Sequence, residues 1–270
     1  MNKTILITGA TDGIGFASAK TLVLQGHTVL LHGRSEAKLA AAKSQLLALK
    51  PTAIIDTFLA DLSLLKNVAT LAENIMEKYE SLDVLINNAG VYVVPQTVSD
   101  EALDIRFVVN TIAPYLLTKR LLPILTTNSR VVNLSSAAQS SLLAHELTQP
   151  SSLSDGVVYA KSKLALTMWS RDMELSLEGK GPMIVAVNPK SFLGSKMVTQ
   201  AYGVTGSDVQ IGADILVKAA TSDEFSSATG LYYDNDIGQF SQPHSDALKP
   251  ELTAKIIATL DDLLTTKGLS

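Results

Sequence analysis

The 270-residue chain has no cysteine. That absence excludes disulfides, thiolate metal sites and a cysteine nucleophile, and it fits a reducing, cytoplasmic setting. A basic excess is missing too. Lysine and arginine number 22 against 26 acidic residues, for a net charge of −4. With no Lys/Arg-rich run, no nucleic-acid partner is expected. Nor does any apolar run approach the ~20 residues that cross a bilayer, and Met1-Asn-Lys3 leads into an apolar strand without a signal peptide. The expectation is a soluble, intracellular protein with no membrane partner. No repeat, low-complexity tract or linker interrupts the chain, and 46% of it is hydrophobic. That suffices for one large core, so residues 1–270 are expected to form a single domain.

What is present begins with a short apolar run, Thr4 to Thr8, then Gly9-Ala-Thr-Asp-Gly13-Ile-Gly15, then a helical pattern that stops at Gly26. Strand, glycine-rich turn and helix together are the context of a dinucleotide-phosphate site. Glycines let the backbone approach a pyrophosphate, and the helix N-terminus offers unpaired N–H groups. Gly9, Thr11, Asp12, Gly13, Ile14 and Gly15 are therefore candidate cofactor contacts. The second strand, Thr28 to His32, ends in Gly33-Arg34-Ser35 with no acid at its tip. A carboxylate there would accept from a ribose 2′-hydroxyl, whereas an arginine pairs with a 2′-phosphate. Arg34 thus favours NADP over NAD, with Asp12 arguing mildly the other way.

Further strands are expected at 53–59, 83–87, 130–134 and 183–188, with helices at 36–49, from near Ser63 to 79, over 100–125, and over 157–177. Asp61, followed by Leu62, suits an adenine amino group or a helix cap equally well. Asn87, Asn88, Ala89 and Gly90 form a small polar corner at a strand end, where open parallel sheets bind ligands; a plain turn is the other reading. Pro114 lies within the 100–125 pattern, four residues after Asn110. A freed carbonyl at such a kink would hold a water, or the asparagine is incidental. Ser135 and Ser136 close the fifth strand, as substrate contacts or as turn formers. The 22 residues that follow Ser136 read as a loop over the cleft, with His145 a loop histidine. The segment 196–207 reads as a mobile cover. Near it, Phe192, Leu193, Met197, Tyr202 and Val204 suggest an apolar substrate. A short strand at 230–233 and helices at 209–220 and 250–265 complete the pattern.

The stretch Tyr159-Ala-Lys-Ser-Lys163 puts a phenol and an ammonium one helical turn apart on one face. A nearby cation favours the phenolate, which makes tyrosine a usable acid or base near neutrality.

Taken in order, Thr8-Gly-Ala-Thr-Asp-Gly-Ile-Gly15, Asp61, Asn87-Asn-Ala-Gly90, Asn110, Ser136 and Tyr159-x-x-x-Lys163 resemble the short-chain dehydrogenase/reductase family. The stretches 130–136, 162–165, 193–197 and 230–244 look closest to its retinol-dehydrogenase-like branch. The resemblance implies an α/β, single-domain, Rossmann-type doubly wound sheet of seven parallel strands in the order 3-2-1-4-5-6-7. It implies an enzyme that moves hydride between NADP(H), with NAD the alternative, and a small-molecule alcohol or carbonyl. An NAD-dependent alcohol dehydrogenase and a non-catalytic dinucleotide sensor are the rival readings. Tyr159 would be the acid/base, Lys163 would hold the nicotinamide ribose, Ser136 would orient the substrate oxygen, and Asn110 would hold a water. Pro189 would border the nicotinamide, and no metal is implied. By analogy, a homodimer or homotetramer would form through the helices at 100–125 and 157–177. One departure stands out, because Lys190 occupies the position after Pro189 where the family usually has glycine.

Overall fold

The computed structural model describes residues 2–269. Its eight strands form one sheet in the order β3-β2-β1-β4-β5-β6-β7-β8. They are β1 (Thr4–Ile7), β2 (Thr28–Gly33), β3 (Ile55–Leu59), β4 (Val84–Asn87), β5 (Arg130–Leu134), β6 (Met183–Asn188), β7 (Tyr232–Asp234) and β8 (Gln239–Ser241). The central strands are near-continuous apolar runs, buried at almost every position, as expected where helices cover both faces of a parallel sheet. The period of two survives inside them. Leu6, Leu30, Leu85, Val131 and Ile184 enter one core layer, while Ile5, Ile7, Val29, Leu31, Val84, Ile86, Val132 and Val185 enter the other.

The first layer is closed by α3 (Leu65–Lys78), α5 (Ala113–Leu121), α6 (Asp155–Ser176) and α9 (Pro250–Thr266). The second is closed by α1 (Gly13–Gln25), α2 (Glu36–Leu49) and α8 (Val209–Thr221). Seven strands run parallel as expected. The eighth was not anticipated and runs antiparallel to β7, with Tyr233 opposite Phe240. Each partner is three residues long, too short for a period-two signal.

Other expectations need correction. Residues 98–104 are not helical: Val98 bridges Asp104, and Asp104 caps the short helix α4 (Ile105–Phe107) through the Arg106 N–H. A π-helical turn, Val108–Ile112, then leads into α5. The Ala113 N–H bonds to the Val108 carbonyl, five residues back. Next to Pro114, which has no N–H to give, the ladder widens by a residue, and Asn110 lies in that turn. The helix expected from Ser63 starts at Leu65, and Asp61 instead caps the preceding turn, accepting from the Ser63 N–H at 2.9 Å and its hydroxyl at 2.7 Å. Ala138 of the loop after Ser136 lines the cleft, and beyond it the chain packs on the core. Its 3-10 turn Ala144–Thr148 buries Leu147 in the core layer of α6 and α9, and His145 is exposed. The expected cover at 196–207 contains a capped helix, α7 (Lys196–Tyr202), whose Lys196, Met197 and Val198 line the cleft, and Leu193 bridges Ser207.

Of the helices expected to pair between copies, α6 packs against α9 and α5 makes polar contacts with it. Ile256, Leu260 and Leu264 of α9 pack in the same layer as Trp169 of α6. Tyr115 and Lys119 of α5 bond to Asp261 of α9 at 2.8 and 2.6 Å.

Candidate active site

Strand order reverses beside β1, and ligands in such sheets bind outside the carboxyl ends of the strands at that point. A cleft of about 930 Å³ opens there, lined from the ends of β1, β2, β4, β5 and β6.

The glycine turn forms its floor. Gly9 and Gly13 take φ of 65° and 53°. A Cβ on Gly15 would stand 2.3 Å from the Gly9 carbonyl oxygen, so only glycine lets α1 start this close to the turn. Thr11, Asp12 and Ile14 face the cleft; Gly15 stands behind its wall. Asp12 caps α1 at 2.8 Å and pairs with Lys196 of α7. The Lys196 ammonium holds the Asp12 carboxyl below the usual range.

Two side chains lock this turn to its neighbours. The Asn88 amide donates to the Thr8 and Gly9 carbonyls at 2.9 and 3.1 Å. His32, 3% exposed, accepts from the Gly9 N–H through Nδ1 at 3.2 Å and faces the Ala60 carbonyl with Nε2 at 3.1 Å. Those two partners require the neutral Nε2–H tautomer. Burial pushes the His32 pKa down to about 4. Sequence reading missed His32, because a histidine inside an apolar strand carries no signal of what it touches.

Arg34, Asp61 and Leu62, expected as cofactor contacts, line the cleft where β2 ends. Lys38 joins them; it lies four residues after Arg34, a spacing that would have flagged it. Ala89 and Gly90 also line the cleft. Asn87 does not. It is buried in β4, where its amide donates to Asn133 at 2.7 Å and Thr118 at 3.2 Å.

At the far end, Ser136, Tyr159 and Lys163 share the cleft wall. The Lys163 Nζ lies 5.7 Å from the Tyr159 ring centroid and donates to the Leu134 carbonyl at 2.7 Å. It is 2% exposed, and burial brings its pKa down to about 7. Ser135 is buried and bonded to Thr167 at 2.7 Å. Ser136 is half-buried, with Oγ accepting from the Ala138 N–H at 3.1 Å, which leaves its own hydroxyl proton for a ligand. Asn110 is buried behind Gly90. Its amide donates to the Val91 carbonyl and the Ser162 hydroxyl, both at 2.9 Å, and its Oδ1 accepts from the Val91 N–H at 2.8 Å. Both amide hydrogens are thus engaged, and any water on Asn110 falls to its backbone carbonyl.

Pro189 borders the cleft, followed by Lys190 at φ 118° and Phe192 at φ 52°. The Pro189 carbonyl accepts from Asn235 at 2.9 Å, and Asn188 donates to Asp234 and Asp236 at 2.8 and 2.9 Å. The unanticipated β7–β8 hairpin therefore braces this corner. Of the apolar set, Phe192, Leu193 and Met197 line the cleft, Val204 does not, and the Tyr202 side chain is not among those described. Tyr92, Val93, Val94, Pro95, Ile105 and Val109 line it unannounced.

The residues present suit a dinucleotide: a glycine cradle that a Cβ would fill, a helix N-terminus, basic groups at one end and a tyrosine beside a buried lysine at the other. Comparison with known proteins agrees. The family profile described as short chain dehydrogenase matches residues 3–202. Human retinol dehydrogenase 13 is 30% identical over 255 residues, covering 86% of this chain and 76% of that protein. A crystal structure from Mycobacterium paratuberculosis superposes with a TM-score of 0.79 at 25% identity, covering 97% of this chain and 93% of its own. A landomycin C-6 ketoreductase with bound NADP and rabelomycin superposes at 0.68 and 27% identity, covering 87% and 95%. Among the described residues, no helix is long and apolar enough to cross a membrane. The chain belongs to the short-chain dehydrogenase family, in its retinol-dehydrogenase-like branch, and is an NAD(P)-dependent oxidoreductase of alcohols and carbonyls.

Proposed function

We propose that this enzyme prefers NADP(H) and interconverts a hydrophobic aldehyde or ketone with its alcohol, with Tyr159 as the acid/base. The observation that carries the reading is the buried Lys163 beside the Tyr159 ring, facing the cleft that the glycine turn opens. In reduction the Tyr159 hydroxyl gives its proton to the substrate oxygen; in oxidation the phenolate takes it back. Ser136 donates to the same oxygen and fixes its position. The Lys163 ammonium stabilises the phenolate and hydrogen-bonds the nicotinamide ribose. A water on the Asn110 backbone carbonyl connects Lys163 to solvent. The bound dinucleotide supplies or receives the hydride.

Arg34 and Lys38 favour a 2′-phosphate over a bare hydroxyl, and the NADP in the landomycin ketoreductase is in keeping with this. The apolar wall from Tyr92 to Pro95, with Ile105, Val109 and Met197, favours a substrate with a hydrophobic body.

The test is fluorescence titration with NADPH and NADH, followed by turnover of a panel of hydrophobic aldehydes and ketones. Tighter NADPH binding is expected, lost selectively in Arg34→Ala. Tyr159→Phe is expected to lose at least about a hundredfold in kcat, the scale of acid–base catalysis, while NADPH affinity stays nearly unchanged. Near wild-type turnover in that variant would end the proposed mechanism.

A further inference from the structure

Tyr92 stands two residues after Gly90 of the Asn88-Ala-Gly90 corner, past Val91, and was not marked by any motif. In the structure its ring lies on that of Tyr159, with centroids 4.7 Å apart and planes tilted by 40°. Both rings line the cleft. The second residue of α6 is Gly156. Apart from proline, glycine is the poorest helix former, so its presence there asks for a reason. A Cβ on Gly156 would stand 2.7 Å from the Tyr92 hydroxyl oxygen and 3.7 Å from its Cζ. Gly156 makes a notch in the catalytic helix, one turn before Tyr159, and Tyr92 is seated in it.

Met197 lines the cleft as well. The Met197 Cε lies 3.8 Å from where a Cβ on Gly90 would stand, and the Lys163 Nζ lies 3.5 Å from the same point. Met197 therefore reaches over the Gly90 backbone beside the acid/base pair. Methionine is flexible and gives way. Tyr92, held between the Tyr159 ring and the Gly156 notch, does not, and it continues into the stiff sequence Val93-Val94-Pro95.

We propose that Tyr92 is the specificity-determining residue of this site, a fixed wall that admits carbonyl compounds slender next to the carbonyl carbon and excludes those branched there. The proposal rests on the carbonyl–alcohol reading above. Shape carries the selection, so the ring is what the site needs.

The experiment compares kcat/KM with NADPH for two isomers of equal carbon number, hexanal, unbranched beside the carbonyl, and 2,2-dimethylbutanal, fully branched there. Wild type is expected to favour hexanal by about tenfold or more, the discrimination a tight apolar pocket gives for small differences in shape. Tyr92→Ala is expected to bring the ratio close to one, and Tyr92→Phe to leave it within about twofold of wild type. Gly156→Ala touches no substrate. It is expected to change the ratio when Tyr92 is present and to leave it unchanged in the Tyr92→Ala background, the non-additivity of residues in contact. If Tyr92→Ala fails to fold, Tyr92→Leu replaces it, since leucine still covers the Tyr159 ring without the full width. A ratio indifferent to the Tyr92 variants, or an additive effect of Gly156→Ala, overturns the proposal while leaving the reaction class intact. Failure of wild type to turn over either isomer, or any carbonyl of the panel, overturns both.

Discussion

His32 holds the glycine turn only while it is uncharged. Protonation would place a donor on Nδ1 against the Gly9 N–H, in a site 3% exposed. Its folded pKa is about 4 against an ordinary 6.5, so the unfolded chain takes up the proton first as pH falls. Stability from this group is therefore complete above about pH 6.5 and declines towards pH 4, by about 3 kcal/mol in total. Urea unfolding measured from pH 7 to pH 4 should show that slope. His32→Gln, whose amide does not titrate, should be less stable at pH 7 and show a shallower slope; an equal slope in both would assign the effect elsewhere. Lys190 makes a second residue-scale case. At φ 118° a side chain is strained, at about 1–3 kcal/mol. Glycine would relieve this at an entropic cost of about 0.5–1 kcal/mol. Lys190→Gly should gain about 1 kcal/mol and raise the melting temperature by roughly 2–4 °C. A lower melting temperature would mean that the corner is not strained.

Among the elements, α4 and α6 are joined by a charge that no motif announces. Arg106 is 1% exposed, reaches Asp104 with two bonds at 2.9 and 2.7 Å, and pairs with Asp155 in the first turn of α6. Asp104 itself is fully buried. Removing one partner of such a pair strands the other charge, whereas removing both is far milder. Arg106→Met should cost about 3–5 kcal/mol, and Asp104→Leu combined with Arg106→Met should recover most of it. Chemical denaturation of the two variants checks this; a double variant as weak as the single would show that the acid is not the source of the cost. This cluster also marks where sequence reading stopped. The helices at 13–25 and 36–49 were legible from Gly13, Gly26 and Pro51, because turn chemistry is local. The 100–125 pattern was read as a single helix because its apolar spacing continues through Asp104, Asn110 and Pro114. What divides it is a widened turn beside Pro114 and a buried Asp104–Arg106 pair that is completed by Asp155 of α6, which is distant in sequence. In the same way Tyr159, Lys163 and Ser136 were legible from type and order, whereas His32, Tyr92 and Gly156 act through partners 23 to 67 residues away, which no local pattern reveals.

At the scale of the whole molecule, the strand order was legible only through the family resemblance, and the same resemblance suggested pairing through the helices that carry the site. The packing argues against that pairing. The outer side of α6 meets α9 and the turn at 245–248, and buries Trp169 in a layer shared with Ile256, Leu260 and Leu264. Polar contacts fix the same cover along α5. Asp261 binds both Tyr115 and Lys119, and Arg120 donates to the Leu269 carbonyl at 3.1 Å. A second copy that displaced α9 from this face would return its buried leucines and isoleucine to water at about 1.5–3 kcal/mol for each. An interface would have to recover that loss before it gained anything. The expected outcome is a species of 28.7 kDa in light scattering at micromolar concentration, with activity per subunit independent of dilution. Twice that mass would require pairing through another face or exchange of α9 between copies, and a cross-link between cysteines introduced at Tyr115 and Asp261 would separate those two. Linkage within one chain leaves α9 in place, and linkage between chains shows that it has been exchanged.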